Sequence, residues 1–249
     1  MGVVVVGATG RMGSAARAAV EEADGLELVA TIDRTGDVTH NSVEQIDAST
    51  VDVMVDLTVA EAARANLVWA AANGVHAVVG TTGLSEDDID RCRSEFVDSN
   101  CLIAPNFAIG AVLMMRFAEL AAPWFDTCEI IELHHDNKID APSGTSRTTA
   151  DRIAAASPDW AADPTLDEMV PGCRGGLVAD AIRVHSVRMR GMLAHQEVIL
   201  GAAGQTLTVR HDSYDRSSFM PGIIHACRVI GDHRGLTIGL DSFLGLKGT

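Results

Sequence analysis

A short polar segment near the middle of the chain carries the residue types that proton transfer requires. It spans residues 132–145 and reads ELHHDNKIDAPSGT. His134 and His135 supply imidazoles, and Lys138 supplies an ammonium group within one turn of both. The last three residues, 143–145, have the pattern of a helix start, where backbone N–H groups can hold a carboxylate. Together these groups suit a small anionic substrate that exchanges protons during its reaction.

Two other interpretations of this segment need weighing. Successive side chains on a strand point to opposite faces, so His134 and His135 should not share a metal ion. The chain also has no C-x-x-C pair, and we therefore expect no metal site. The remaining alternative is a capped helix beside two histidines whose hydrogen bonds are satisfied within the protein. The residue types alone leave that alternative open.

The charge of the chain limits its partners. Nineteen Lys and Arg face 34 Asp and Glu, a net charge of −15. Such a surface argues against sequence-independent binding of nucleic acid or anionic lipid. Lys138 and Lys247 are the only lysines, so a lysine inside a polar motif indicates a specific role. The Arg- and Asp-rich composition differs from that of hyperthermophiles, and we expect a salt-rich cytoplasm that screens the surface charge.

The remaining composition is that of a globular cytoplasmic protein. Hydrophobic residues make up 47% of the 249 residues, enough for a large core. We find no apolar run of the roughly 18 residues that a membrane helix needs, and the N-terminus lacks the cationic region of a signal peptide. Five scattered cysteines indicate neither a disulfide framework nor a zinc site.

Strands and helices alternate through the first hundred-odd residues, which predicts a doubly wound parallel α/β sheet of the Rossmann type. The predicted strands are 3–6, 26–32, 51–57, 75–79 and 101–104. Helices are predicted to about 23 after the first strand, at 60–73, and after the capping residue Ser85.

The second half of the chain has a different pattern. Long helices are predicted at about 109–122 and 144–156, with an alternating strand at 127–135 and two or three strands between 181 and 212. This pattern predicts an α+β domain with a mostly antiparallel sheet. A last helix, about 217–230, could return to the first sheet. The predicted domains are residues 1–106 with 216–249, and residues 107–215.

A glycine-rich turn follows the first strand and indicates a dinucleotide site. Gly7, Gly10 and Gly13 differ from the usual G-x-G-x-x-G spacing by one shifted glycine. The physical requirement is still met, because a strand, a tight turn and a helix N-terminus can present N–H groups to a pyrophosphate. The residues predicted to contact the cofactor here are Gly7, Ala8, Thr9, Gly10, Arg11 and Met12.

The choice of cofactor depends on the end of the second strand. Asp33 is placed to accept hydrogen bonds from a ribose 2′-OH, which favours NADH. Arg34, or Arg11, could instead pair with a 2′-phosphate, which favours NADPH. Alternatively, Asp33 caps a turn and Arg34 is solvated. The sequence therefore predicts NADH and/or NADPH.

Two further loops end strands at the same carboxyl edge, where open α/β sheets bind ligands. We expect them to flank the nicotinamide, although they could be turns without contact to it. Their residues are Gly80, Thr81, Thr82, Ala104, Pro105, Asn106 and Phe107.

The segment at 132–145 and the Gly-x-x-Gly-Arg-Met-Gly turn together resemble the dihydrodipicolinate reductases, also called 4-hydroxy-tetrahydrodipicolinate reductases. The resemblance covers essentially the whole chain, including residues 80–83, 105–107 and 211–219, and the fourteen-residue motif is highly specific. It departs from the family at Leu57, where Phe is usual, and at Asn137, where some members have a third histidine.

The resemblance implies a Rossmann domain hinged to a substrate domain that also builds a homotetramer. It implies reduction of (2S,4S)-4-hydroxy-2,3,4,5-tetrahydrodipicolinate by NAD(P)H, with loss of water, in the diaminopimelate route to lysine. His134 would be the proton donor and acceptor, and Lys138 a second proton donor. Arg34 resembles the family's 2′-phosphate contact. The residues that would bind the small dicarboxylate substrate are His135, Ser143, Gly144 and Thr145.

Two rival functions remain at this point. Another Rossmann reductase, such as an aspartate or homoserine dehydrogenase, would explain the N-terminal half but not the lysine-bearing motif. A non-catalytic dinucleotide sensor would keep the glycine turn but has no reason to keep His134 and Lys138 together.

Overall fold

The computed structural model describes residues 1–179 and 181–246, in two compact units. The first unit consists of residues 1–109 and the chain from residue 216 onward, and the second of residues 110–215. The break falls at residue 110, whereas the sequence analysis placed it at 107. Phe107 packs within the first unit, since a Cβ at Gly222 would lie 2.0 Å from its carbonyl oxygen. Residues 247–249, which the sequence analysis gave to the first domain, lie outside the described residues.

Strands and helices have the following bounds. The strands are β1 (Gly2–Val6), β2 (Glu27–Ile32), β3 (Val53–Asp56), β4 (His76–Val79), β5 (Cys101–Ile103), β6 (Thr127–His134), β7 (Gly176–Ala179), β8 (Ile182–Arg188), β9 (Ala194–Ala202), β10 (Gln205–Ser213) and β11 (Leu236–Ile238). The helices are α1 (Arg11–Glu22), α2 (Ala60–Ala72), α3 (Glu86–Glu95), α4 (Ile109–Ala121), α5 (Gly144–Ala156) and α6 (Met220–Val229).

The first unit is built on a parallel sheet of six strands in the order β11-β5-β4-β3-β1-β2. Its strand β1 is a run of four valines that is buried on both faces, as expected of a central strand in a parallel sheet. Helix α1 packs against α6, and α2 packs against α3. The predicted doubly wound parallel sheet is confirmed.

Short polar side chains form hydrogen bonds with the backbone where a helix of this unit begins and where its loops approach each other. Ser85 caps α3 in a capping box with Asp88, so each supplies the hydrogen bond that the other's backbone N–H lacks. Asn100 bonds Ile230 and Gly235, which secures the strand β11 beside β5. The sequence analysis did not predict β11, because Leu-Thr-Ile between two glycines lacks the continuous apolar run that marks the equally short β5.

The second unit contains a mixed sheet of five strands in the order β10-β9-β6-β8-β7. Strands β6 and β8 run parallel, and the other neighbours run antiparallel. Along β6, Cys128, Ile130 and Glu132 are buried and alternate with partly exposed residues. Helix α5 packs against this sheet. The predicted mostly antiparallel sheet is confirmed, and β7 is the strand that the sequence analysis missed.

Within the two described ranges, no helix has the length and apolar character needed to cross a membrane.

Candidate active site

The glycine turn after β1 brings the start of α1 close to the strand. Gly7 has a φ of +80°, a conformation that L side chains rarely adopt. A Cβ at Gly13 would lie 1.9 Å from the carbonyl oxygen of Gly7, so only glycine lets the helix approach this closely. Gly10 is the N-cap residue of α1 and has no side chain that could accept a hydrogen bond from the first turn of the helix. The first turn of α1 therefore keeps N–H groups for an external acceptor, and this cradle fits a dinucleotide pyrophosphate.

Asp33, at the end of β2, ties the glycine turn to the neighbouring strand. Its Oδ2 accepts hydrogen bonds from the backbone N–H of Thr9, at 3.0 Å, and from the Thr9 hydroxyl, and its Oδ1 accepts one from Arg34 N. Burial alone would raise the pKa of Asp33, but these hydrogen bonds keep it below its ordinary value. A carboxylate has about four lone-pair sites, so these contacts leave room for a ribose hydroxyl.

A buried carboxylate that the sequence analysis did not single out holds the middle of the same edge. Asp56 is fully buried at the end of β3. Its Oδ1 accepts from the hydroxyls of Thr58 and Thr81, both at 2.7 Å, and its Oδ2 accepts from Asn66. One side chain thus fixes the loops after β3 and β4. A charged residue at the end of an apolar strand is the signal that could have identified it.

The loops after β4 and β5 approach closely at Gly80. A Cβ at that position would lie 2.7 Å from the Leu57 side chain and 3.3 Å from the Phe107 ring. The predicted cofactor residues of this unit all follow the carboxyl ends of parallel strands, and therefore lie along one edge of its sheet. They are Gly7, Ala8, Thr9, Gly10, Arg11, Met12, Asp33, Arg34, Gly80, Thr81, Thr82, Ala104, Pro105, Asn106 and Phe107.

In the second unit, Glu132 is the centre of the predicted reaction site. Its side chain has no exposed surface. Arg188 donates from Nη1 to Oε2 and from Nη2 to Oε1, both at 2.8 Å, and His134 Nδ1 also contacts Oε2. The backbone N–H of Ser143 reaches Oε1 at 3.3 Å. Burial alone would raise the pKa of Glu132, but hydrogen bonds from the side chains of His134, Arg188 and Ser186 lower it to about 2.

Lys138 lies in the turn that follows β6. Its Nζ donates to both carboxylate oxygens of Asp140 at 2.7 Å, and its backbone N–H donates to the carbonyl of His135. The Lys138 ammonium lowers the pKa of Asp140. Arg188 Nη2 bonds the carbonyl oxygen of Asp140 at 2.7 Å, so this turn is connected to Glu132.

The start of α5 is held by a buried chain of hydroxyls and one amide. Ser143 caps the helix by accepting from Ser146 N, and the Ser146 hydroxyl donates to Gln196 on β9. The Gln196 amide then donates to Thr149, one turn further along α5. This network fixes the helix N-terminus against the sheet. Gly144, at the first helical position, is exposed, and a Cβ there would meet nothing within 4 Å.

The structure therefore brings His134, Lys138 and the start of α5 together through Glu132 and Arg188. His135 follows the strand, and its Nδ1 is buried with no hydrogen-bond partner in the described protein. A buried polar atom without a partner is costly, so this nitrogen is suited to a ligand. The satisfied-histidine alternative does not describe His135. Among residues 1–179 and 181–246, no cluster of His, Cys, Asp or Glu is arranged to hold a metal ion.

Arg188 and Gln196 are the supporting residues that sequence reasoning missed. Neither lies near the motif in sequence, and no local pattern connects them to it. In the sheet, β8 pairs in parallel with β6 so that Arg188 stands opposite His134, and β9 pairs so that Gln196 stands opposite Glu132.

Each unit can thus perform one part of a reductive reaction. The first offers a glycine turn and a helix N-terminus for a dinucleotide. The second offers an imidazole, an ammonium group and a second helix N-terminus for a carboxylate. Hydride transfer coupled to proton exchange on a small acid uses these two sets of groups.

Comparison with known proteins gives the same result along the whole chain. Residues 1–107 match the family model of the dihydrodipicolinate reductase N-terminus, and residues 110–244 match that of the C-terminus. A protein of Cutibacterium acnes named 4-hydroxy-tetrahydrodipicolinate reductase is 49% identical, over 98% of this chain and 99% of its own. A protein of Nocardia farcinica with the same name is 51% identical, over 98% of each chain.

A solved structure agrees with these sequence matches. The dipicolinate-bound dihydrodipicolinate reductase from Paenisporosarcina sp. TG-14 has a TM-score of 0.88 and 37% identity, with 97% of this chain and 98% of that chain covered. The resemblance noted from the residues 132–145 and the glycine turn is confirmed. The chain belongs to the dihydrodipicolinate reductase family.

Proposed function

We propose that the chain is an NAD(P)H-dependent oxidoreductase that reduces (2S,4S)-4-hydroxy-2,3,4,5-tetrahydrodipicolinate. The product is (S)-2,3,4,5-tetrahydrodipicolinate, water is released, and the step belongs to the diaminopimelate route of lysine biosynthesis. The observation that carries the proposal is the support of His134, of the turn that holds Lys138 and of the start of α5 by the Glu132–Arg188 pair. Because of this support, the proton-exchanging side chains and a binding position for a carboxylate lie in the same unit.

A ring dicarboxylate suits the donors of the second unit. One carboxylate would be held by N–H groups at Gly144 and Thr145, with Ser143 capping the helix and His135 contributing a ring nitrogen. The structure of the relative from Paenisporosarcina contains dipicolinate, a planar ring diacid. Because this chain has a net charge of −15, long-range electrostatic repulsion opposes the approach of such a substrate. Binding must therefore depend on these local donors.

The reduced dinucleotide would be held in the first unit by the glycine turn, Asp33, Arg34 and the loops 80–82 and 104–107. When bound, it supplies the hydride. Asp33 supports a ribose hydroxyl and Arg34 supports a 2′-phosphate, so the proposal includes both NADH and NADPH.

His134 and Lys138 would handle the protons. The overall reaction consumes one proton together with the hydride and releases water. We assign His134 as the group that donates and accepts a proton, and Lys138 as the second donor. Their side chains are 16% and 19% exposed, so both are accessible to a small ligand but largely shielded from bulk water.

We further propose a cytoplasmic homotetramer. One face of the second unit's sheet packs on α5, while the opposite face carries Ile131, Val187 and Ile199, which remain partly exposed. Partly exposed apolar side chains on a sheet face are suited to contact with other copies of the chain. The use of a reduced nicotinamide cofactor supports a cytoplasmic location. Light scattering of the purified protein measures the oligomer directly, and a monomer would contradict the proposal.

The experiment is a spectroscopic assay with enzymatically generated hydroxy-tetrahydrodipicolinate. Protein is mixed with substrate and either NADH or NADPH, and the loss of nicotinamide absorbance is followed. We expect turnover by the wild type and at least about a hundredfold lower kcat for Lys138→Ala. His134→Gln should lower kcat more than it weakens cofactor binding.

Arg190→Ala is the control. Arg190 is an exposed cation paired with Asp136, close to the same turn, and its removal should leave turnover near normal. Absence of wild-type turnover with either cofactor would refute the proposed reaction. Near-normal turnover of Lys138→Ala would refute the role of that lysine.

A further inference from the structure

The contacts of Glu132 use its whole hydrogen-bonding capacity. A carboxylate offers about four lone-pair sites. Arg188 uses two of them, His134 Nδ1 a third and the backbone N–H of Ser143 the fourth, and the Ser186 side chain makes a further hydrogen bond to the carboxylate. The side chain is fully buried and remains ionised. Glu132 therefore acts only as an acceptor and has no freedom to rotate without breaking several contacts.

The contact to His134 determines which ring nitrogen is available for chemistry. An ionised carboxylate cannot donate a hydrogen bond, so His134 Nδ1 must be the donor and carry hydrogen. The other nitrogen, Nε2, is then the one that can exchange a proton with a ligand. A carboxylate that orients a histidine in this way sets both the tautomer and the direction of the ring.

The contacts of Arg188 extend this effect to the lysine. Arg188 Nη2 is shared between Glu132 Oε1 and the carbonyl oxygen of Asp140. Asp140 in turn holds the Lys138 ammonium through both carboxylate oxygens. The bonds from Glu132 therefore reach both proton-exchanging groups.

We infer that Glu132, held by Arg188, is a positioning residue that keeps Nδ1 of His134 protonated and leaves Nε2 as the nitrogen that exchanges the substrate proton. The inference rests on the proposed function of His134. It assigns a role to two side chains that make no contact with the reacting atoms and that lie 56 residues apart in sequence.

Glu129 provides a matched control on the same strand. It accepts from Arg174 Nη2 at 2.6 Å and contacts His185 Nε2 at 2.7 Å, so it also joins an arginine and a histidine. Because neighbouring side chains alternate along a strand, Glu129 lies on the opposite face of the sheet from Glu132. A loss of activity that reflects only a broken Glu–Arg–His cluster would appear in Glu129→Gln as well.

The test is a double-mutant cycle between Glu132→Gln and His134→Gln. For Glu132→Gln we expect kcat to fall about tenfold or more, with the substrate KM changed by less than about threefold. Adding Glu132→Gln to His134→Gln should produce almost no further loss, because the carboxylate acts through a ring that is already gone. Glu129→Gln should keep kcat near that of the wild type, and its oligomeric state is checked by light scattering because Glu129 lies on the sheet face that we propose to contact other copies of the chain.

Two kinetic outcomes would overturn the inference. One is wild-type kcat in a folded Glu132→Gln variant. The other is a Glu132→Gln loss that adds in full to that of His134→Gln, which would mean a general structural effect. Should the amide variant be unstable beside Arg188, Glu132→Asp takes its place in the cycle, because it keeps the charge and shortens the reach to His134.

A spectroscopic measurement decides the inference independently of activity. Protein labelled with ¹⁵N-histidine reports the tautomer of each ring, and the His134 signal is the one missing from His134→Gln. We expect the Nδ1–H form in the wild type, and a bare Nδ1 would overturn the inference. If the wild type fails to reduce hydroxy-tetrahydrodipicolinate but His134 shows Nδ1–H, the proposed function fails while the positioning contact stands.

Discussion

Single side chains at the two sites act through fixed partners. Asp33 illustrates this for the cofactor site, because the sequence allowed it to be either a ribose acceptor or a turn cap. In the structure Asp33 joins Thr9 and Arg34 by three hydrogen bonds, so it holds the glycine turn, and its remaining lone-pair site can still accept from a ribose. Asp33 can therefore cap the turn and bind a ribose hydroxyl at the same time, and the preference between NADH and NADPH is a matter for measurement.

Arg34 is the residue with which to measure that preference. It is exposed at the end of β2, next to Asp33. A charge-assisted hydrogen bond to a 2′-phosphate contributes about 1.5–3 kcal/mol, so Arg34→Ala should lower kcat/KM for NADPH about tenfold or more and largely spare NADH. Arg17→Ala is the control, since Arg17 is an arginine on α1 that already pairs with Glu21. Equal losses with both cofactors would show that Arg34 does not contact the 2′-phosphate.

A substitution at Gly144 tests whether a substrate carboxylate binds at the start of α5. A Cβ there would meet no protein atom within 4 Å, so Gly144→Ala should fold normally, and alanine is also the better helix former. We expect unchanged thermal stability and NADH affinity but a substrate KM raised about tenfold, because the added methyl group occupies the ligand's path to the helix N–H groups. Gly231→Ala is the control, since its Cβ also meets nothing within 4 Å. An unchanged KM would place the carboxylate elsewhere.

At the scale of elements, the position of α1 depends on close approach to β1. A Cβ at Gly13 would collide with the backbone of Gly7, which cannot rotate away as a side chain can. Gly13→Ala should therefore push the helix outward. Overpacking of this kind costs about 1–3 kcal/mol of unfolding free energy, and a displaced helix N-terminus should bind NADH more weakly.

Chemical denaturation and NADH titration measure both effects of Gly13→Ala. Gly231→Ala again serves as the control, because alanine there meets open space. If Gly13→Ala matched the wild type in both measurements, the close contact between α1 and β1 would have no influence on the cofactor site.

Local patterns were sufficient to predict most elements but missed two short strands at the edges of the sheets. The helix α5 begins at Gly144 and ends at Ala156, as predicted, because Ser143 caps its start and its second half is rich in alanine, the best helix former. The strands β7 and β11 have four and three residues. Both are edge strands with partly exposed residues, whereas the equally short β3, β4 and β5 are central and buried and show a continuous apolar run in the sequence.

At the scale of the whole molecule, charge is the dominant feature. A net charge of −15 places many carboxylates in mutual repulsion, and dissolved salt screens that repulsion. We therefore expect the thermal midpoint of unfolding to rise between dilute buffer and concentrated KCl. The measurement is thermal denaturation at a series of KCl concentrations, with a protein of near-zero net charge as the reference. An unchanged or lower midpoint in KCl would contradict the expectation of a salt-rich cytoplasm.

The sequence by itself determined the order of the helices and of all strands but β7 and β11, the glycine turn and the presence of His134 and Lys138 in one segment. These features follow from steric limits, capping and side-chain period, which act between residues close in the chain. Only the tertiary structure decided what supports them. Glu132 meets Arg188 because β6 and β8 pair in parallel, and Asp56 meets Thr81 because β3 lies beside β4. Strand register depends on burial across the whole sheet, so contacts between such distant residues are not encoded in any local pattern.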